Sequence, residues 1–351
     1  MERFCTYRKA KGVSKKSIND YRDMSYKVLS MVDKPLNRWT REDAIHVYSS
    51  IYIMPPYTGT KPEFKNISMI EIIKLAEQGG YERISIETAN NYFRAFKAFF
   101  KWAMSSGYVK NDIFLGIEVR PNKKKPNKQR DIFSNEQLSE IFGMRIFNSK
   151  SQSASFKYWI PIIGLEMAMR QGEIAQLNCS DIRQEDGIWF ISVSSNTEDQ
   201  KVKNPSSIRD LPITSNLIRL GFLDFVKDRG QGKLFSDVRY SEINGYGDIV
   251  SKWFSHEKKQ LGYSRENTFH SLRHNAIDRM KKYEINEALA AEISGHSYRS
   301  ETYSRYGKSY HLKVKRNILN KISHKVIKRL PRVYGNIGIK HKVSNTIRKL
   351  I

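Results

Sequence analysis

One stretch divides this chain more firmly than any other: EVRPNKKKPNKQRD, Glu118 to Asp131. It is rich in lysine, proline and asparagine and carries almost nothing apolar, so it cannot run through a core. It reads as an extended, positively charged interdomain linker, equally suited to a solvated tether or to lying along a phosphate backbone. At 351 residues the chain has room for two ordinary domains with separate cores. The expected organisation is a helical unit over 1–117, the linker over 118–131, a second unit over 132–325 and a basic tail over 326–351.

The pattern before the linker is helical. In SKKSINDYRDMSYKVLSMV, apolar residues fall at Ile18, Tyr21, Met24, Val28 and Met31, close to a 3.6-residue period. Thr40, with Asp43 three residues on, predicts a capped start for the next helix. Pro55 to Asn66 reads as an exposed loop, being rich in turn formers. The clearest helix follows Ser85, with Phe93, Phe96, Phe99, Phe100 and Ala103 as a buried stripe and Gly107 as its close. Lys97 and Lys101 are assigned to another face, open to solvent or phosphate.

After the linker, Ser134 and Gln137 form a capping-box pattern, and FKYWIPIIGLEMAM predicts a second helix. GIWFISV and SSIRDLPIT have strand composition and flank a polar turn region over 194–205, which predicts a small antiparallel sheet. Helices resume with NLIRLGFLDFVKD. The fold class is therefore mainly α with a small antiparallel β-sheet.

Charge narrows the partner. The formal net charge is +25, a self-repulsion best relieved by a polyanion, and nucleic acid leads that class. No apolar run approaches the roughly 18 residues of a membrane span, and the charged N-terminus is not signal-like, so no membrane partner is expected. Cys5 and Cys179 are too few for a disulfide framework or a zinc knuckle and read as reduced thiols of a cytoplasmic protein.

Four short stretches carry chemistry: AMRQGEI with Arg170 and Glu173, HSLRH with His270, Arg273 and His274, SGHSYR with His296, and SETYSRYGKSY with Tyr303, Tyr306 and Tyr310. Arg170 and Glu173 alone could be a helix-end ion pair. The histidines of HSLRH are spaced for zinc, but Ser271 stands where a zinc protease needs Glu, and an arginine between them repels a cation. The three tyrosines would share one helix face, which suits a packing stripe as well as a reactive phenol. Two guanidiniums, histidines and a phenol without a metal suit a phosphodiester. Guanidinium forks match the charged non-bridging oxygens. A phenol can attack phosphorus and conserve the bond energy in an ester, so neither ATP nor another cofactor is needed. No P-loop pattern occurs in the chain.

The order of these motifs resembles the tyrosine recombinase family of phage integrase type. TANNYFRAFKAFFKWAMSSGYVKNDIF is similar to the last helices of that family's core-binding domain, and residues 131 to 325 resemble its catalytic domain. The resemblance implies a SAM-like helical core DNA-binding domain followed by the catalytic domain. It assigns Arg170 and Arg273 to the scissile phosphate, Glu173 to support, His270 to proton transfer at the nucleophile, and His296 to the phosphate. It places a lysine in the turn between strands as donor to the leaving 5′ oxygen. Counting back from IRDLPI favours Lys203, with Lys201 as the alternative. Tyr306 matches the nucleophile, with Tyr303 as the named competitor and Tyr310 third. His274 is expected to pack or cap. Lys97, Lys101, Lys123, Lys124 and Lys125 are the candidate phosphate contacts outside the site.

The implied partners are double-stranded DNA with recombination sites, four protomers at synapsis and an accessory DNA-bending factor; no cofactor or metal is implied. The implied activity is cleavage and rejoining through a 3′-phosphotyrosyl link, serving integration or excision of a mobile element or viral genome. A type IB topoisomerase and a noncatalytic DNA-binding relative are the alternatives. No room appears for an additional N-terminal arm-binding domain. After Glu301 the chain has no Asp or Glu. There HLKVKRNILNKISHKVIKRL predicts an amphipathic helix with Leu312, Ile318, Leu319, Ile322 and Val326 on one side, suited to docking in trans on a neighbouring protomer or to nonspecific DNA affinity.

Overall fold

A computed structural model describes residues 1–121, 132–149, 155–263, 267–298 and 309–334. The chain separates into two compact units, Met1–Lys125 and Pro126–Ile351, with the division inside the expected linker.

The first unit is built from helices Glu2–Ala10, Lys15–Leu29, Arg41–Ile53, Met69–Glu77 and Ile86–Ser105. Side-chain caps start four of them. Ser14 accepts from the Ser17 N–H, Thr40 and Asp43 cap each other reciprocally, Ser68 and Glu71 do the same, and Ser85 accepts from Thr88. Each cap satisfies helix-end N–H groups that would otherwise lack a partner. Phe93, Phe96 and Phe100 of the long helix are buried, and Phe114 sets its ring edge-on against all three, 5.0 to 5.9 Å between centroids. Each such ring removed from water is worth about 1.5–3 kcal/mol.

Three expectations need correction here. The 55–66 stretch is not simply an exposed loop: its single turn of 3-10 helix, Pro62–Phe64, inserts a buried Phe64 against Tyr81, and Thr58 is buried too. Lys97 is not open on a free face, because its Nζ donates to the Ile117 carbonyl at 2.9 Å and is partly buried, whereas Lys101 is exposed. Nor is the chain free from residue 118. The Arg120 N–H donates to Tyr52 Oη at 3.0 Å, the Asn90 amide donates to the Arg120 carbonyl at 2.9 Å, and the Arg120 guanidinium lies over the Tyr52 ring. Lys123, Lys124 and Lys125 lie outside the described residues.

In the second unit, helix Asn135–Gly143 starts at the expected Ser134–Gln137 box. Helix Phe156–Met167 runs through the core with nearly every residue buried. The sheet has three antiparallel strands in the order β1 (Ile182–Glu185), β2 (Ile188–Val193), β3 (Arg209–Pro212). Ile182 pairs with Ile191 and Ile191 with Leu211, a buried apolar column across all three strands. Asp186 and Gly187, both at positive φ, make the tight hairpin between β1 and β2. Helix Gly247–Gln260 precedes helix Phe269–Lys282, which packs against Phe156–Met167 closely enough that a Cβ on Gly164 would stand 3.1 Å from the Phe269 ring. Helix Glu287–Ser294 follows. No helix among the described residues is long and apolar enough to cross a membrane.

The C-terminal segment departs most from expectation. Helices Leu312–Ile322 and Lys325–Arg329 pack on their own unit. Lys315, almost fully buried, pairs with Glu292 at 2.6 Å and donates to the Asp210 carbonyl on β3. Val326, Ile327, Leu330 and Val333 are buried in the second core, and Arg219 donates to the Ile327 and Leu330 carbonyls at 2.8 Å each. A free basic tail therefore does not begin at 326. The segment bends at Ser323 and His324, where the fully buried Glu166 carboxylate accepts from Ser323 Oγ, the His324 N–H, Thr214 Oγ1 and the Asn216 amide. Burial pushes the Glu166 carboxyl up, although those donors oppose the shift.

Candidate active site

The site grows from the end of helix Phe156–Met167. Ala168 closes that helix in the left-handed region, φ 53°, an unusual conformation for a residue with a Cβ. Its carbonyl accepts from Arg273 Nη1 at 2.6 Å. Arg273 belongs to helix Phe269–Lys282, so the close helix pair described above brings the guanidinium to this turn. Two residues past Ala168, Arg170 opens the short helix Gln171–Ala175.

Arg170 is held by three acceptors. Its Nη1 pairs with Glu173 Oε1 at 2.5 Å and donates to Ser207 Oγ at 3.1 Å, and its Nη2 donates to the Gly295 carbonyl at 2.9 Å. Glu173 also accepts the Arg170 N–H, and its second oxygen pairs with Arg209 Nη2 at 2.9 Å. Burial disfavours the Glu173 charge, but Arg209 and then Arg170 outweigh it and hold the carboxyl below its usual range. Glu173 thus lies between two guanidiniums, Arg170 and Arg209.

Sequence reasoning missed Arg209. It projects from β3, almost fully buried, and donates to the Ile293 carbonyl at 2.8 Å, the Ser207 carbonyl at 2.6 Å and Glu173. Burial lowers its pKa against the opposing pull of Glu173. Gly295 leaves it room: a Cβ there would stand 2.6 Å from Arg209 Nη1. The only signal was a charged residue inside IRDLPI, a pattern otherwise typical of a buried strand.

His296 follows Gly295 and meets Arg273, with Nε2 at 2.9 Å from Arg273 Nη2. A guanidinium can only donate, so Nε2 is the acceptor and Nδ1 carries the proton. Nδ1 lies 3.2 Å from Ser294 Oγ, which donates onward to the Ala291 carbonyl, so the chain of donors is consistent with that tautomer. Arg273 is fully buried; burial first, and then the Arg170 charge, push its pKa down to about 9, which leaves it protonated at neutral pH.

Residues distant in sequence thus converge: Arg170, Glu173, Arg273 and His296 as expected, with Arg209, Ser207 and Gly295 added. His270 lies on the exposed side of its helix, its ring edge-on to His274 with centroids 4.5 Å apart. Lys201 and Lys203 are exposed in the loop between β2 and β3. Tyr310 is in an extended segment before helix Leu312–Ile322, partly buried against the core, and its N–H donates to Glu292. A helix face shared by the three tyrosines does not extend to Tyr310. Tyr303 and Tyr306 lie outside the described residues.

Comparison with known proteins places the chain's family and fold. The sequence model of the phage integrase family matches residues 133–313. A lambda integrase dimer bound to a COC′ core site is similar in structure, with a TM-score of 0.53 at 15% identity over 88% of this chain and 93% of that one. The Tn1549 transposon integrase in complex with circular intermediate DNA gives 0.53 at 17% identity, covering 89% of this chain and 96% of that one. At such identity these likenesses speak to the fold. A search of curated proteins gives no significant match.

Proposed function

Because the chain belongs to the phage integrase family, we propose that it is a site-specific DNA recombinase that cuts and rejoins strands through a covalent 3′-phosphotyrosyl intermediate. Its role would be integration or excision of a mobile element or viral genome. One observation carries the reading: the Gly295 carbonyl holds the Arg170 guanidinium and the Ala168 carbonyl holds that of Arg273, with Glu173, itself paired with Arg209, fixing the first and His296 the second. Two fixed guanidiniums suit the charge that develops on a phosphodiester in its transition state. Arg273 has no exposed surface, so contact with a phosphate requires what covers it to move.

In this reading the Tyr306 phenol attacks phosphorus, forming the P–Oη bond as the P–O5′ bond breaks. The phenolic proton passes to His270, and Lys203, with Lys201 as competitor, gives its proton to the departing 5′ oxygen. Hydrogen bonds tie the loop to the surroundings of Arg170 on both sides of this pair, from the Lys201 N–H to Gln176 and from Ser207 Oγ to Asn204. A 5′ hydroxyl from a partner duplex then resolves the ester, which implies four protomers at synapsis. Lys101 and Lys123 to Lys125 would add phosphate contacts.

The test is a suicide DNA substrate nicked near its recombination site, incubated with the protein without ATP or divalent metal. A covalent protein–DNA adduct is expected, absent in Tyr306→Phe, with noncovalent binding that weakens steeply as salt rises. Binding without any adduct would favour a noncatalytic relative and overturn the reading.

A further inference from the structure

The loop joining β2 to β3 carries both lysine candidates, and it is fastened at two feet. At the upstream foot the Asp199 carboxylate accepts from the Tyr246 phenol and from Thr197 Oγ1, and it pairs with Lys233 Nζ at 2.7 Å. Lys233 also lies over the Tyr246 ring and donates to the Gln176 carbonyl at 3.2 Å. The next residue, Gln200, is buried and donates to Asp181 at 2.7 Å, and the Lys201 N–H donates to Gln176 Oε1 at 3.0 Å. Gln176 ends the short helix that Arg170 begins. At the downstream foot Ser207 binds both Asn204 and Arg170. Between the feet remain residues 201–203, with both lysines exposed.

The feet therefore relate the lysine-bearing tip to the arginine that would hold the phosphate. A proton donor must come within hydrogen-bond reach of the leaving oxygen, about 2.6–3.2 Å. An untethered loop would meet that condition only a fraction of the time. The side chain of Asp199 is 34% exposed, so it contributes little to the core. Its hydrogen bonds to Lys233 and then Tyr246 hold its carboxyl well below the usual range.

We propose that Asp199, bridged to Tyr246 and Lys233, is a positioning residue for the lysine that protonates the leaving 5′ oxygen. The inference rests on the recombinase reading above. In the step concerned, the ammonium gives its proton to O5′ as the P–O5′ bond breaks, leaving a neutral amine. Asp199 touches neither atom and acts only through the loop.

The experiment uses the full chain and two suicide substrates, one ordinary and one with sulfur replacing the bridging 5′ oxygen. A thiolate leaves without protonation, because a thiol is far more acidic than an alcohol; a cysteine thiol, for comparison, ionises at about 8.5. Asp199→Ala is expected to slow adduct formation on the oxygen substrate about tenfold to hundredfold, the scale on which misplaced groups act. It should leave the sulfur substrate within about twofold of the unsubstituted protein. Added to the lysine variant that lacks the proton donor, it should cause no further loss, whereas on the other lysine variant its effect should multiply in full. Equal losses on both substrates would show a merely structural role and overturn the inference, as would no loss on either. If the unsubstituted protein forms no adduct with either substrate, the recombinase reading itself fails and takes this inference with it.

Discussion

Gly295→Ala isolates the packing that holds the arginine cluster together. Gly295 ends helix Glu287–Ser294 at φ 64°, in the left-handed region. An L-residue there costs about 1–2 kcal/mol. A Cβ would also stand 2.6 Å from Arg209 Nη1 and 2.9 Å from Cζ. That guanidinium cannot swing aside cheaply, because Ile293, Ser207 and Glu173 hold it in a buried place. Overpacking of this kind adds about 1–3 kcal/mol, for a total of about 2–5 kcal/mol. Gly187→Ala is the matched control: its φ is 71°, but a Cβ meets nothing within 4 Å, so only the backbone cost applies. Urea unfolding of both variants, followed by circular dichroism, should therefore separate them by about 1–3 kcal/mol. Gly295→Ala should also slow adduct formation, since the Gly295 carbonyl holds Arg170 and the next residue holds Arg273. Equal destabilisation of the two variants, with adduct formation unchanged, would refute the reasoning.

Two further outcomes follow from buried charge. Glu173→Ala strands Arg209 as an uncompensated buried charge and should cost about 3–5 kcal/mol in the same unfolding assay, whereas a loss below about 1 kcal/mol would contradict the pairing. His324 is pushed down to about 4 by burial and then by the Arg279 and Lys325 charges. With the folded pKa depressed, the unfolded chain binds the proton more readily, so this contribution is complete above about pH 6.5 and is lost as pH falls towards 4. The loss amounts to at most about 3 kcal/mol. Glu166, raised by burial, acts in the opposite sense. His324→Asn, which keeps a cap for the Val326 N–H, should remove the His324 part of the acid sensitivity. Identical pH profiles for the two proteins between 6.5 and 4 would rule it out.

What could be read from the sequence was local. Thr40 with Asp43, Ser134 with Gln137 and the phenylalanine stripe are settled within one or two helical turns, and each stands where its spacing predicts. β1 escaped notice because three of its four residues face solvent and show no alternation, although Asp186-Gly187 marks the hairpin that creates it. Nothing in IRDLPI singles out Arg209; only the packing of helix Glu287–Ser294 and Glu173 around it makes it a buried bridge. The apolar side expected for the C-terminal helix reaches the core at Leu319, Ile322 and Val326, but the basic composition after Glu301 concealed Ile327, Leu330 and Val333, whose burial depends on surfaces far away in sequence. Lys97 was misjudged for the same reason, since the carbonyl it binds lies twenty residues further on. The motif residues Arg170, Glu173, Arg273 and His296 were legible as a set because their order is linear even though their meeting place is not.

The central claim is a covalent bond between one phenol and DNA. Protease digestion of the adduct trapped on a suicide substrate, followed by mass spectrometry of the nucleotide-linked peptide, tests it most directly. The account predicts a single phosphotyrosyl linkage at Tyr306, with the adduct retained in Tyr303→Phe. Linkage at Tyr303, at Tyr310 or at a residue that is not tyrosine would contradict it.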